Sequence, residues 1–245
     1  MMMDWPEVVT YLPVLLWGTL KTIELALLVV IFGFLIAVPI ALARNSTRSV
    51  PRKFAQIFIF VFRGAPILAV LFLLYYGLPQ IPGITETIFW HLIERPTPVA
   101  VLALSLNSAG FLAEIFAVAL RNVPIGEIEA AQAIGFSRLQ TFLRFTSINA
   151  GRLCIRAYGN ELVFVLKGTS AVNFITITDL VGAANQIYFN TFDPFTPLLL
   201  AGAIYLFFAF LILFVVRCIE IRLSPWQHRL KTIQPVKEEM RYRET

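Results

Sequence analysis

Residues 124–140 read P-I-G-E-I-E-A-A-Q-A-I-G-F-S-R-L-Q, a polar stretch that decides how the greasy remainder of the chain is read. Pro124 suits a first helical position, and Glu127 and Glu129 fall in the first turns, where carboxylates complement the helix dipole. Ala130, Ala131 and Ala133 keep the helix surface low, so a partner's groove could approach the backbone closely. Gly135 can take the left-handed conformation that ends a helix. Ser137 and Gln140 then match S-x-x-Q, a capping box that opens a second short helix. The pattern is a water-compatible helix-turn-helix. It suits a docking element, and it equally suits a hairpin resting on a lipid surface.

Outward from this island the composition changes character. The 245 residues are 58% hydrophobic and only 14% charged, with a mean hydropathy of +0.76. Soluble chains run near ~45–50% apolar and ~25% charged, so lipid is the expected solvent. The net charge of +5 could point to nucleic acid, but the placement of the basic residues argues for topology instead. Cys154 and Cys218 lack metal or disulfide spacing and read as apolar fillers. His91 and His228 are isolated, so no metal site is expected. The opening M-M-M-D-W-P-E lacks a basic leader region, and the first apolar segment is expected to stay in the membrane.

A span needs ~20 mostly apolar residues to cross ~30 Å of hydrocarbon. Five segments qualify: Leu20–Ala43, Phe54–Leu78, Pro98–Leu120, Tyr158–Leu180 and Pro197–Val216. The fourth is the weakest, being interrupted by Glu161, Lys167 and several hydroxyls. Arg44, Arg48, Arg52 and Lys53 lie between segments one and two, and Arg121, Arg138, Arg144, Arg152 and Arg156 between three and four. Arg217, Arg222, Arg229 and Lys231 follow segment five. The opposite loops hold one basic residue, Arg95, beside Glu86, Glu94, Asp179 and Asp193. The positive-inside rule then puts the N-terminus outside, and residues 124–140 and the C-terminus in the cytoplasm. Trp5, Trp17, Trp90 and Trp226 fall near span boundaries, as interfacial anchors should. The mixed-charge tail Lys237–Thr245 reads as a mobile terminus.

Chemistry-bearing motifs are sparse. The phosphate-binding pattern G-x-x-x-x-G-K-[ST] is missing, and Lys167-Gly168-Thr169 has its order reversed inside a span. No H-E-x-x-H or G-x-S-x-G is found. An intramembrane enzyme therefore lacks its constellation, and a pump would need its energy source on another chain. No inverted repeat of the kind used by secondary transporters is evident. A passive channel or secondary carrier for small polar solutes would leave Glu129–Gly135 without a use.

Glu129-Ala130-Ala131 through Gly135 resembles the E-A-A-x-x-x-G signature of permease subunits of bacterial ABC importers. Phe62-Arg63-Gly64-Ala65-Pro66 resembles the F-R-G-T-P segment of the polar amino-acid permeases. Ala113-Glu114-Ile115, the run Val123 to Ala131, Gly159-Asn160-Glu161, and Leu166 to Ser170 resemble segments of the same group of permeases. Together they cover most of the chain and look most like the M-type subunits of histidine, arginine and opine importers. The fold implied is all-α, a polytopic membrane protein of five transmembrane helices. It has a permease domain over residues 1–225, a coupling-helix loop near 122–148, and a cytoplasmic tail over 226–245. The resemblance implies alternating access in the bacterial inner membrane, with no cofactor on this chain. ATP and magnesium belong to a cytoplasmic ATPase dimer, a periplasmic binding protein delivers substrate, and a second, paralogous permease completes the pathway, with a homodimer as the alternative.

The resemblance also assigns residues. Gly126, Glu127, Glu129, Ala130, Ala131 and Gly135 become ATPase-coupling residues. Glu161 matches the position where importers of basic amino acids set an acid against the cationic side chain, with Asn160, Thr169 and Ser170 as further substrate-binding candidates. Relatives often carry a second acid where this chain has Gly168, which weakens the electrostatic case for a doubly charged cationic end or leaves room for a bulkier substrate such as an opine. Read from the residues alone, Glu161 could instead pair with Lys167 or Arg156, and the hydroxyls of Thr169 and Ser170 could bond back to their own helix. Asn107 and Glu114, seven residues apart, share a helical face, as interhelical hydrogen-bonding groups or as pathway lining. Arg63 is expected in packing or gating. The chain departs from the family's I-x-L-P at Phe145-Thr146-Ser147-Ile148, and has Arg156 where a second proline is usual. A less sharply bent approach to segment four follows.

Overall fold

The computed structural model describes residues 5–223, except for the side chains of residues 5–8, 89 and 92. Expectations for Trp226, His228, Arg229, Lys231 and the tail 226–245, and for the side chain of Trp5, lie outside the described residues. Among the described residues every regular element is helical. Three helices, α1 (Trp5–Arg44), α5 (Pro96–Arg121) and α10 (Phe195–Leu223), are individually long and apolar enough to span. Two bent pairs complete five spans. α2 (Ser49–Gly64) continues into α3 (Ile67–Phe72), and α8 (Ser147–Gly168) into α9 (Leu180–Thr191). A short α4 (Ile88–Ile93) precedes α5.

Segment one is longer than its hydropathy suggests. α1 begins at Trp5 rather than near Leu20 and runs 40 residues, roughly 60 Å at 1.5 Å per residue. The extra turns are held by packing: Tyr11, Val14 and Leu15 join Leu180, Ala183, Ala184, Ile187 and Ala201 in one apolar cluster. Gly18 permits this crossing, since a Cβ there would stand 2.7 Å from the Cβ of Ala183 and 2.8 Å from the Asp179 carbonyl.

Segment two is not one straight helix. Ala65 precedes Pro66 and adopts an extended conformation, as steric conflict with a following proline ring dictates. The chain bends by 103° there, where a continuous apolar run predicts one helix over 54–78. Pro66 has no N–H, so the Phe62 carbonyl four residues earlier loses its helical partner. The Asn107 side-chain amide replaces it, donating to Phe62 O at 2.8 Å. Gly110, one turn further along α5, lets the break sit close: a Cβ there would lie 3.1 Å from Arg63 N.

Segment four also differs from its expected single span. α8 tightens into a 3-10 turn over Thr169–Ile175, Thr176 takes the left-handed φ of 71°, and Asp179 starts α9. Asp179 and Asp193, expected as charges on an outer loop, are 0% and 2% exposed. Both act as caps. The Asp179 carboxylate accepts from Gly182 N at 2.9 Å and from the Tyr205 hydroxyl at 3.1 Å. Asp193 accepts from the amides of Phe195 and Thr196 at the start of α10. The backbone N–H groups that open a helix need acceptors, and in apolar surroundings a side chain must supply them.

Candidate functional site

Where the bend of segment two faces α5 and α8, a cavity of about 440 Å³ opens. Arg63, Ala65, Ile67 and Leu68 border it from the bend, and Asn107, Ser108 and Phe111 from α5. Glu161, Phe164, Lys167 and Gly168 come from α8, and Ser170 and Phe174 from the 3-10 turn that follows. The volume falls within the ~300–1,000 Å³ usual for small-molecule sites. The walls are largely apolar, with few polar groups to orient a ligand.

Glu161 is the cavity's one carboxylate. It is 7% exposed, and its Oε1 accepts from the Ser108 hydroxyl at 2.9 Å across the α5–α8 contact. Its Oε2 has no donor among the described residues. Neither foreseen ion pair forms: Arg156 bonds Glu220 at 2.6 Å, and Lys167 has no carboxylate partner among the described residues. Arg63 lies over the Phe111 ring, 5.5 Å from its centroid, a cation–π contact that orients the guanidinium.

The other candidates separate. Asn160 does not share the cavity; it points to the α10 side of α8, beside Arg156, Arg217 and Glu220. One residue along a helix turns the side chain through about 100°, which puts Asn160 and Glu161 on different faces. The hydroxyls of Thr169 and Ser170 donate to the carbonyls of Leu166 and Lys167. Thr169 is fully buried, while Ser170 still borders the cavity. Glu114 is engaged near the basic ends of α1 and α5, by Arg44 at 3.4 Å and Arg121 at 3.4 Å. Ser108 was not foreseen. Its signal lay in the small, polar run Asn107-Ser108-Ala109-Gly110 inside a span, the composition that close helix contacts favour.

The 124–140 stretch folds as its residues prescribe. α6 covers Ile125–Ala133, and Gly135 takes a φ of +96°. The capping box between Ser137 and Gln140 is complete and opens α7 (Arg138–Thr141). A π turn over Phe142–Thr146 then leads directly into α8. The approach to segment four is helical throughout, consistent with the absent proline at Ile148. Gly126, Glu127, Glu129, Ala130 and Gly135 are exposed, as are the large apolar side chains of Ile125 and Ile134, whereas Ala131 is buried. Glu127 has a second attachment: its carboxylate accepts from the Asn149 amide, and Asn149 in turn accepts from Arg152 at 3.1 Å. Val123 and Ile128 pack with Ala119, Ala150 and Cys154 below. The loop is thus fastened to the base of α8 on one side and presents small and apolar residues on the other.

A membrane bundle with a ligand-sized, largely apolar cavity between its spans and an exposed helical loop has the architecture of a solute-conducting subunit. Residues 29–225 match the family described as binding-protein-dependent transport system inner membrane component, and the chain belongs to that family. It is 36% identical over 224 residues to the nopaline transport system permease protein NocM of Agrobacterium fabrum, covering 91% of this chain and 93% of the relative. It is 33% identical over 215 residues to the histidine/lysine/arginine/ornithine transport system permease protein HisM of Escherichia coli, covering 87% and 89%. Among solved structures, an amino acid ABC transporter with histidines superimposes with a TM-score of 0.79 at 29% identity, over 91% of this chain and 100% of that one.

Proposed function

We propose that this chain is the membrane permease subunit of an ATP-driven, binding-protein-dependent importer for amino acids with cationic side chains or for opines. One observation carries the substrate reading: the Glu161 carboxylate, held by Ser108, keeps its other oxygen free of donors among the described residues, beside a cavity between spans. An ionisable group at such depth is costly without a partner. A substrate guanidinium or ammonium supplies one. The relatives named above carry nopaline, histidine, lysine, arginine and ornithine in their names, and each of these ligands presents a cationic or protonatable nitrogen.

The loop supports the partners. α6 and α7 offer a low, partly apolar surface to a cytoplasmic ATPase pair, which would bind ATP and magnesium. A second permease, paralogous to this one, completes the pathway, and a periplasmic binding protein loads it. The clustering of Arg and Lys beside α6 favours a cytoplasmic position for that loop and a periplasmic one for the N-terminus. ATP closure would shift the loop, and α8 would carry the shift to the cavity wall, exchanging its open side.

Reconstitution with partner subunits and binding protein tests this. Uptake of arginine or of an opine is expected to require ATP. Glu129→Arg is expected to abolish uptake while direct substrate binding to the complex persists. Uptake that continues without ATP, or in Glu129→Arg at the normal rate, would return the chain to the passive-channel reading.

A further inference from the structure

A second recess, of about 410 Å³, lies where α8 meets α10. Its walls are Arg156 and Asn160 from α8 and Leu213, Val216, Arg217 and Glu220 from α10. Arg156 Nε stands 2.6 Å from Glu220 Oε1, with the Arg156 side chain 64% exposed and that of Glu220 14%. Arg217 is exposed and has no carboxylate partner among the described residues. Two guanidiniums against one carboxylate leave the fixed side-chain charge of the walls at two minus one, or +1.

Position decides what can reach this charge. Arg217 directly follows Val216, the last residue of the fifth apolar segment, which sets the recess at a membrane boundary. Of the three uninterrupted spans α10 is the least covered: 17% of its most apolar stretch is buried, against 61% for α5. Phe214 and Phe210, one and two turns before Arg217, are exposed. Basic pockets between spans at this level suit anionic lipid headgroups, and here bare apolar surface runs from the charge into the hydrocarbon. A soluble anion would use the charge and leave the apolar flank bare. A zwitterionic headgroup carries its own ammonium and leaves the excess charge standing, whereas an anionic one cancels it.

We infer that the seam between α8 and α10 is a binding site for an anionic glycerophospholipid. Arg217 presents its planar fork to the phosphate oxygens, and Arg156 stays on Glu220 and adds its charge. The acyl chains lie along Phe210, Leu213 and Phe214. The lipid ties α8 to α10 beside the contact of Gly159 with Val216, two residues from Glu161. The site is separate from the solute cavity and independent of which solute that cavity takes.

Titration of the delipidated, assembled transporter in neutral detergent, read by native mass spectrometry, tests the site. The probes are dioleoylphosphatidylglycerol, dioleoylphosphatidylcholine and inorganic phosphate. The wild type is expected to bind phosphatidylglycerol about fivefold or more tightly than phosphatidylcholine, the worth of one basic residue facing an anionic lipid. Arg217→Gln is expected to bring that ratio close to one, and Arg217→Lys to keep most of it. Arg222→Gln, exposed on the same helix but outside the recess, is expected to leave it unchanged. A wild-type ratio near one, as when a neighbouring subunit covers the seam, would overturn the inference. So would a ratio unmoved by Arg217→Gln, or one lowered equally by Arg222→Gln, which is attraction to basic surface at large. Inorganic phosphate that displaces phosphatidylglycerol at equal concentration would assign the recess to free phosphate and overturn the lipid.

Discussion

Pro66 strips the Phe62 carbonyl of its helical donor, and the Asn107 amide, 2.8 Å away on another helix, takes its place. At Asp179 the same exchange runs with the roles reversed, a carboxylate answering the Gly182 amide and the Tyr205 hydroxyl. In lipid no water can make these bonds, so each side chain is fully committed to the backbone or to its neighbour. Asn107→Leu is therefore expected to destabilise the bundle by about 1–3 kcal/mol, the cost of an unpaired buried polar group. Asp179→Ala, which unpairs two donors at once, is expected to cost at least as much. Thermal unfolding of the detergent-solubilised complex would measure both, and melting temperatures equal to wild type would remove these bonds from the account of stability. Asn107 was legible in the sequence as an interhelical hydrogen-bonding group, because an amide in a span must find a partner. Ser108 was not, because a serine can satisfy itself on its own helix, and only the approach of α8 shows that it serves Glu161 instead.

Among the elements, hydropathy located all five spans but not their interruptions. Residues 54–78 are apolar apart from Gln56 and Arg63, and a window average cannot register the single missing N–H at Pro66 that bends them. The first fifteen residues of α1 were missed for the opposite reason: their helix depends on Ala183, Ile187 and Ala201, more than 150 positions away in sequence. The helical loop over residues 124–140 was legible nearly to the residue, since caps and left-handed glycines are local chemistry. Two glycines give tests at this scale. Gly135 holds a φ of +96° in open space, so Gly135→Ala is expected to cost about 1–2 kcal/mol through backbone strain alone, with transport falling as the loop loosens. Gly18→Val meets Ala183 and the Asp179 carbonyl, neither of which can rotate away, and overpacking of about 1–3 kcal/mol is expected. Protease sensitivity of the loop for the first, and melting temperature for the second, would show which element yields. A Gly18→Val protein as stable as the wild type would mean that α1 and α9 do not cross as described.

Across the whole molecule, the basic residues gather beside one set of loops, and this asymmetry supports the orientation proposed for the chain. In a background lacking Cys154 and Cys218, Ser137→Cys is expected to react with a membrane-impermeant maleimide only after the cells are opened, and Thr87→Cys in intact cells whose outer barrier is permeable. The reverse pattern would invert the molecule and remove the docking loop from any cytoplasmic motor. What a single chain's sequence conveyed least well was the cavity. Its walls come from α1, α2, α3, α5, α8 and the 3-10 turn after α8 together, and no local pattern announces that Glu161 and Ser170 share it while Asn160 does not.

The helix that runs without interruption from Arg138, through the π turn, to Gly168 behaves as a shaft roughly 45 Å long. No extended residue or proline along it can absorb movement as slack. Gly159 acts as its bearing, pressed so close to Val216 that a Cβ would stand 2.7 Å from that side chain. On the proposed coupling, a stroke at the loop would travel to Glu161 along this helix, and linkage would require the reverse transmission as well. A solute seated against Glu161 would then bias the posture of the loop, and a motor docked there would sense a loaded cavity before it fires.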